Sequence, residues 1–289
     1  AHGDGSARGK RGGRRRAWRP ARAGAYDSRM ADSLPLSGVV VACNEADRIA
    51  RCVASLRAVC AEVVVVDSGS TDGTRERAAA LGARVVEQPW LGFARQKNLA
   101  IAQAVQPWVL LLDADEWLEH DALDALRALF ASGRLDAADV VTLRRRTRFL
   151  GSVMRFGSFA AEPVERLFRA HCRHEVLAVH ERLDTRGQRV IGSTVRMEHD
   201  TARSAAEYWA KLQRYAQLWA DERAARAARS GSAPPRVPYG RASAAALAYL
   251  LKNLALRGGA LDGPGAWRFH ALHARYAALK YRLLRRHWR

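Results

Sequence analysis

The chain has 289 residues, 48% of them hydrophobic, and a formal net charge of +19. That is apolar enough for a packed core and long enough for one large domain, or a core domain with an appendage, which excludes a wholly disordered or fibrous chain. The charge is uneven: residues 1–29 hold nine Lys and Arg against two acids, 30–200 hold 22 against 23, and 201–289 hold 17 against four. The near-neutral middle argues against a specific nucleic-acid enzyme, whose cleft would itself be basic.

Residues 1–35 read as a disordered basic extension. The Gly-, Arg- and Ala-rich stretch to residue 29 cannot bury a core. Met30 has the look of a natural start, which leaves open whether 1–29 belong to the natural protein. Folding begins at the β-rich run 37–42 and turns at Cys43-Asn44-Glu45. Helical spacing of Ile49, Val53 and Leu56 follows. Residues 62–67 are a second buried strand ending in Asp67. The stretch 68–74, rich in Ser, Thr, Asp and Gly, is a turn that caps the next helix, which stops at Gly82. A third strand at 83–87 and a helix over 92–105 lead to the central run Trp108-Val-Leu-Leu-Leu-Asp-Ala-Asp-Glu-Trp117. Alternating strand and helix predict an α/β fold with a mostly parallel sheet, helices on its faces and right-handed crossovers.

An apolar run that ends abruptly in acid reads as a buried strand whose carboxyl end meets solvent, and ligands bind at that edge of such sheets. Asp113 and Asp115 there suit Mg²⁺ or Mn²⁺ together with substrate phosphates. Glu45, Asp67 and the Asp113/Asp115 pair all fall at strand ends. A nucleotide fits them: one carboxylate for a base N–H, one for ribose, the pair for the metal on a diphosphate. Lys97 either adds a cation near the phosphates or pairs with one of these acids. No Gly-x-Gly-x-x-Gly follows the first strand and no Gly-x4-Gly-Lys-Ser/Thr occurs, which disfavours a dinucleotide site and excludes a P-loop.

Four segments carry a resemblance: Val39-Val-Val-Ala-Cys-Asn-Glu45, Val63-Val-Val-Val-Asp-Ser-Gly-Ser-Thr-Asp-Gly-Thr74, Arg95-Gln-Lys-Asn98 and Leu110-Leu-Leu-Asp-Ala-Asp-Glu116. In order and spacing they resemble family 2 glycosyltransferases of the GT-A fold, over about residues 36–200. Glu165-Arg-Leu-Phe-Arg169, Val179-His-Glu-Arg-Leu183, Glu198-His199 and Gly259-Ala-Leu-Asp-Gly263 are similar to the bacterial subgroup that builds the inner core of lipopolysaccharide. The resemblance implies nucleotide-sugar contacts from Ala42, Asn44, Glu45, Asp67, Ser70, Lys97, Asp113 and Ala114. It implies metal ligation by Asp113 and Asp115, with His199 as an added ligand. It also implies an acid after the metal motif that takes the acceptor's proton. Glu181 matches that place, with His180 beside it to orient it or replace it.

In the second half of the catalytic region, 140–143 reads as a strand. Arg144, Arg145, Arg146 and Arg148 read as a solvated edge, with contact to an anionic acceptor as the other reading. The Gly- and Phe-rich segment 150–160 reads as a mobile loop over the acceptor. Residues 201–289 read as a helical C-terminal region. Tyr208, Leu212, Tyr215 and Trp219 share one aromatic face. Leu247, Leu250, Leu251 and Leu254 make one apolar stripe, and Leu272, Tyr276, Leu279 and Leu283 another, flanked by Arg268, Arg275, Arg282 and Arg289. That pattern suits helices lying on an anionic membrane surface. Four cysteines are too sparse for a disulfide framework and lack zinc spacing. No apolar run reaches the roughly 18–20 residues that span a bilayer, and no signal-peptide core follows the basic start. The expected location is therefore peripheral, on the cytoplasmic face of the membrane.

The expected reaction is inverting transfer from a nucleotide-diphosphate sugar such as UDP-glucose to a lipopolysaccharide inner-core acceptor. Another lipid-linked or polysaccharide acceptor, or nucleotidyl transfer on a similar sheet, stays open as an alternative.

Overall fold

A computed structural model of the chain describes residues 33–176, 182–230 and 237–287. The strands are β1 (Leu34–Ala42), β2 (Cys60–Asp67), β3 (Arg84–Glu87), β4 (Trp108–Asp113), β5 (Glu116–Trp117), β6 (Val140–Phe149), β7 (Ser152–Val153), β8 (Glu162–Arg169) and β9 (Val190–Asp200). The helices are α1 (Ile49–Arg57), α2 (Thr74–Ala80), α3 (Phe93–Ala102), α4 (His120–Ala131), α5 (Ala205–Arg229), α6 (Arg241–Leu250) and α7 (Pro264–Arg286).

The strands form one sheet in the order β3-β2-β1-β4-β8-β6-β9-β5, with β7 paired to β6. The first four are parallel, as the alternation predicts, with Val39 opposite Val64 on one side and Leu111 on the other. Beyond β4 the sheet turns mixed. β8 runs antiparallel to β4 and β6 antiparallel to β8, while β9 is parallel to β6 and β5 antiparallel to β9. The α/β expectation holds, and this second half is where the sheet departs from the parallel pattern.

The apolar runs are continuous because both faces of the parallel half are covered. Val40, Val63, Val65, Leu110 and Leu112 face one core with Ile49, Val53 and Leu56 of α1 and Leu126 of α4. Their alternate neighbours Val39, Val64, Val66, Val109 and Leu111 face the other, with Ala100 and Ile101 of α3. Gly38 permits the close approach of α1, since a side chain there would meet Leu56 Cβ at 3.1 Å.

A third cluster joins the end of β6 to the C-terminal helices: Phe149, Met154, Tyr208, Leu212, Ala266 and Phe269. Here two expectations are corrected. The 150–160 segment is tied down rather than free. The amides of Arg155 and Phe156 donate to the Asp262 carboxylate at 3.0 Å, Gly157 N–H donates to Arg257 C=O at 3.0 Å, and the Phe159 ring stands edge-on to Phe269. The stripe on α7 is not a free face either: Leu272 and Tyr276 pack against this third cluster. On α5, Tyr208 and Leu212 are buried as expected, whereas Tyr215 is exposed. A 25-residue helix of near-constant Ala and Arg content holds too few large apolar side chains for spacing alone to fix its inward face.

Beyond α5, large exposed apolar side chains cluster on α6, on its π-helical continuation Leu251–Leu256, on the turn into α7 and at the start of α7: Leu247, Leu251, Leu256, Leu261 and Trp267. Among the described residues no helix is long and apolar enough to cross a membrane.

His273 sits in the aromatic cluster with Phe269 at 4.4 Å and shares a 2.7 Å hydrogen bond with the Tyr208 hydroxyl. Burial, aided by the nearby charges of His270 and Lys280, depresses its pKa to about 3. The unfolded chain therefore takes up a proton there before the folded one does. Stability from this group is complete above the unfolded pKa of about 6.5 and declines as pH falls below it. His273→Gln keeps a hydrogen-bonding group but cannot titrate. We expect it to remove on the order of 1–2 kcal/mol of the acid destabilisation between pH 6.5 and 5, read from urea unfolding at each pH.

Candidate functional site

The carboxyl ends of β1 and β4 open into a cleft of about 1330 Å³. Of the residues expected to hold a nucleotide sugar or metal, Ala42, Glu45, Lys97, Asp113, Ala114, Asp115 and His199 all line it. The convergence follows from register. Val41 of β1 lies opposite Asp113, and the β5–β9 pairing sets Glu116 opposite His199. His199 Nε2 thereby comes within 3.5 Å of Asp115 Oδ2 although 84 positions apart in the chain.

The two aspartates differ. Asp113 accepts from Arg166 Nη2 at 2.5 Å and faces Lys97 Nζ at 3.3 Å. Burial pushes its carboxyl up, but these two cations outweigh it and hold the pKa well below the usual range. Asp115 is bordered by His199 and, at 3.8 Å, by Arg48. Burial again opposes and His199 prevails, with a smaller contribution from Lys211, so the net shift is downward. Asp115 and His199 therefore remain the pair with coordinating capacity: a charged carboxylate, and an imidazole whose buried Nδ1 has no partner among the described residues. Among these residues no group of three or more His, Cys, Asp and Glu is gathered as a complete cage. One carboxylate and one imidazole fit a cation that takes its other ligands from phosphate and water, and an imidazole in the set suits Mn²⁺ better than Mg²⁺.

Arg166 is the residue to which motif reading gave no role. It projects from β8 between Asp113 and Glu116, with 2.7 Å to Glu116 Oε1. Glu116 is 1% exposed, and its other oxygen accepts from the Asp113 amide at 3.0 Å. Burial raises the Glu116 pKa against the pull of Arg166. The sequence signal was the Glu165-Arg-Leu-Phe-Arg169 segment, which carried a resemblance but no role for Arg166.

Asn44, Asp67 and Ser70 are not among the residues that line the cleft. Asp67 is fully buried and accepts from the amides of Gly69 and Ser70 at 3.0 and 2.8 Å and from the Ser70 hydroxyl. Asn44 takes a left-handed conformation, φ 56°, which Asn tolerates better than most residues. Its amide donates to Ser70 Oγ at 2.8 Å, and its Oδ1 accepts from Thr71 N–H at 2.9 Å. In this conformation these side chains build the rim loop, and their polar atoms are spent on one another.

Glu45 reaches the cleft while held by Arg203 at 2.7 Å. Burial lifts its pKa to about 7 despite that guanidinium, with Asp115 adding to the rise. Arg203 also grips Asp47 at 2.8 Å and Asn44 C=O at 3.0 Å, which ties the turn after β1 to the start of α5. His174 lines the cleft too, its backbone clamped by the Asn98 side chain at 2.7 and 2.9 Å. His180 and Glu181 lie outside the described residues.

The basic run on β6 is not a solvated edge, because β6 sits between β8 and β9. Arg145 pairs with Glu162 at 2.5 Å and with Glu116 at 3.7 Å, and Arg146 and Arg148 divide the two oxygens of buried Glu198.

A mixed α/β sheet with a carboxylate-rimmed cleft at the ends of β1 and β4 is a GT-A glycosyltransferase architecture. Residues 37–179 match the model of glycosyl transferase family 2. This part of the chain is a glycosyltransferase family 2 domain. It is 44% identical over 101 residues to an uncharacterized glycosyltransferase of Rickettsia felis, covering 35% of this chain and 36% of that protein. It is 41% identical over 108 residues to the lipopolysaccharide core biosynthesis glycosyltransferase LpsC of Rhizobium meliloti, covering 36% and 40%. These matches thus take in about a third to two fifths of the relatives' own length. Among solved structures, glucosyl-3-phosphoglycerate synthase from Mycobacterium tuberculosis, in complex with Mg²⁺ and UDP, overlaps 46% of this chain and 50% of its own. Its identity is 26% and its TM-score 0.33.

Arg166→Met leaves Glu116 buried without its cation. We expect a loss of about 3–5 kcal/mol at pH 8 in urea unfolding. The deficit should shrink as pH falls toward 5.5, because a protonated Glu116 no longer needs the guanidinium. A deficit unchanged with pH would mean that packing, not charge, sets the cost.

Proposed function

We propose that the protein is a metal-dependent inverting glycosyltransferase that moves a sugar from a nucleotide-diphosphate donor to a lipopolysaccharide inner-core acceptor. The observation that carries this reading is the juxtaposition of Asp115 and His199 on the cleft wall, beside an Asp113 already neutralised by Lys97 and Arg166. A divalent ion held by Asp115 and His199 would neutralise the diphosphate and ease its departure. Lys97 and Arg166 keep Asp113 charged and fixed in place. Glu45, Ala42 and Ala114 border the nucleoside side of the cleft. As the acceptor oxygen bonds to the anomeric carbon, the bond from that carbon to the phosphate oxygen breaks. The acceptor's proton passes to Glu181, with His180 as its orienting neighbour. The similarity to LpsC supports a core-oligosaccharide acceptor. UDP-glucose is the donor we would try first.

The test is a screen of sugar nucleotides with purified protein and Mn²⁺, scoring nucleoside diphosphate released. Asp115→Asn should lower turnover by about 10²-fold or more while leaving the unfolding midpoint within the range of an ordinary surface change. Glu181→Gln should lose turnover and still bind nucleotide. Release of pyrophosphate in place of nucleoside diphosphate would identify a nucleotidyltransferase and overturn the reading.

A lipid-linked acceptor calls for a membrane-facing surface, and we assign it to the apolar tip of the C-terminal helices on the cytoplasmic face. Leu247, Leu256 and Leu261 are 68%, 77% and 73% exposed, with exposed Lys252, Arg257 and Arg268 among them. Each such cation near an anionic bilayer contributes about 1 kcal/mol. Vesicles containing phosphatidylglycerol should pull the protein down at low salt, and neutral vesicles should not. Leu256→Asp with Leu261→Asp should abolish that binding without lowering transfer to a soluble acceptor fragment. Equal sedimentation of parent and double variant would remove the tip from this role.

A further inference from the structure

The cleft is larger than one substrate requires. Small-molecule sites commonly enclose about 300–1,000 Å³, and this one encloses about 1330 Å³. The excess lies away from Asp113 and Asp115, where the cleft runs between two helices. From α5, Lys211, Tyr215 and Leu218 line it, and from α7, Phe269, His273 and Tyr276 do so. On each helix the spacing is i, i+4, i+7, so each presents one continuous stripe to the space between them.

The chemistry of this arm is one-sided. Among the described residues Lys211 makes no ion pair or hydrogen bond, and the hydroxyls of Tyr215 and Tyr276 have no protein partner. Arg145 at the arm's inner end has a buried Nε with no acceptor, although its terminal nitrogens hold Glu162 and Glu116. Lys211 and Tyr276 are half-buried and Tyr215 is exposed, so water meets these groups in the open cleft, and a ligand that displaces it must supply acceptors in its place. Every one of these groups can donate. The carboxylate within reach of the arm, Glu162, is already held by Arg145 at 2.5 Å. A ligand here must bring acceptors, and Lys211 forms no ion pair among the described residues, since the carboxylate it acts on, Asp115, is already bordered by His199 and Arg48, so its three donors call for an anion. The phenol rings add flat apolar walls with polar tips, suited to a ring that is apolar on its faces and hydroxylated at its edge.

We propose that this arm is the acceptor subsite and that it takes an anionic saccharide. The negative group, a phosphate or a carboxylate, is held by Lys211 with Arg145 behind it, and the sugar ring lies between Tyr215 and Tyr276. The proposal rests on the transferase reading only for the word acceptor. The ligand chemistry follows from the arm itself. Lys211 is then a specificity-determining residue, supplied by the C-terminal helices to a cleft whose other walls come from the sheet, its loops and α3.

The test uses the full chain in calorimetric titration with three probes: glucose 6-phosphate, glucuronate and glucose. At least one charged sugar should bind about tenfold or more tightly than glucose, as a charge-assisted hydrogen bond contributes, and which one does so distinguishes phosphate from carboxylate. Lys211→Ala should abolish that preference, and Lys211→Arg should keep it. UDP with Mn²⁺ is titrated separately on the same variants. Loss of UDP binding in Lys211→Ala with sugar-phosphate binding intact would assign Lys211 to the donor and overturn the proposal. So would equal affinity for all three sugars, or no binding of any. Binding of the charged sugar without any binding of UDP would leave the arm standing and sink the transferase reading instead.

Discussion

The site depends on one guanidinium. Arg166 stands where the parallel half of the sheet meets its antiparallel half, on β8 beside β4, and holds Asp113 on one side and Glu116 on the other. Three acids within four residues at the end of a buried strand would repel one another and take up protons if left alone. The shared cation lets Asp113 stay ionised beside a Glu that is 1% exposed, and fixes the short turn from β4 into β5. That turn in turn sets the β5–β9 pairing that delivers His199 to Asp115. The placement of Asp115 against His199 is thus inherited from an ion pair made by a residue that itself faces the other carboxylate.

The parallel half was legible in the sequence because each of its strands is covered on both faces. Such strands appear as unbroken apolar runs, and their ends appear as sudden polarity at Asp67 and Asp113. The antiparallel half was not, because its pairings join segments far apart. Nothing local in Val190–Asp200 says that it lies parallel to β6, or that Glu198 will be enclosed by Arg146 and Arg148. For the same reason Arg145, Arg146 and Arg148 of β6 resemble a wet edge in sequence and are half-buried ion pairs in space, whereas Arg144 stays exposed.

Within the site, residue type was easier to read than orientation. Asp113, Asp115, Glu45, Lys97 and His199 do converge on one cleft. Asp67 belongs to the same motif, yet its oxygens accept from the loop that follows it, a use that an Asp-Ser-Gly-Ser sequence permits as readily as ligand binding. Arg203, His174 and Lys211 were not anticipated. Each comes from a segment whose packing partner is distant in sequence, and a single charged residue on an Ala-rich helix such as α5 carries no pattern of its own.

The C-terminal helices show why a stripe on one helix cannot be assigned without its neighbours. On α7 the apolar residues that looked suited to a membrane serve as the contact with α5 and the third core cluster. The residues actually left bare are on α6, its π-helical end and the turn into α7. Near the start of α7 Trp267 is exposed beside the apolar tip, and within three turns Phe269, His273 and Tyr276 wall the inner arm of the cleft. If the proposed membrane surface and saccharide site both hold, a helix of 23 residues with one end at a bilayer and its next turns lining that site would set the distance between the two. An acceptor whose sugars project from a lipid would meet the arm at a fixed depth above the membrane, so that the choice of reacting hydroxyl would follow from helix geometry and not from contacts at the hydroxyl alone.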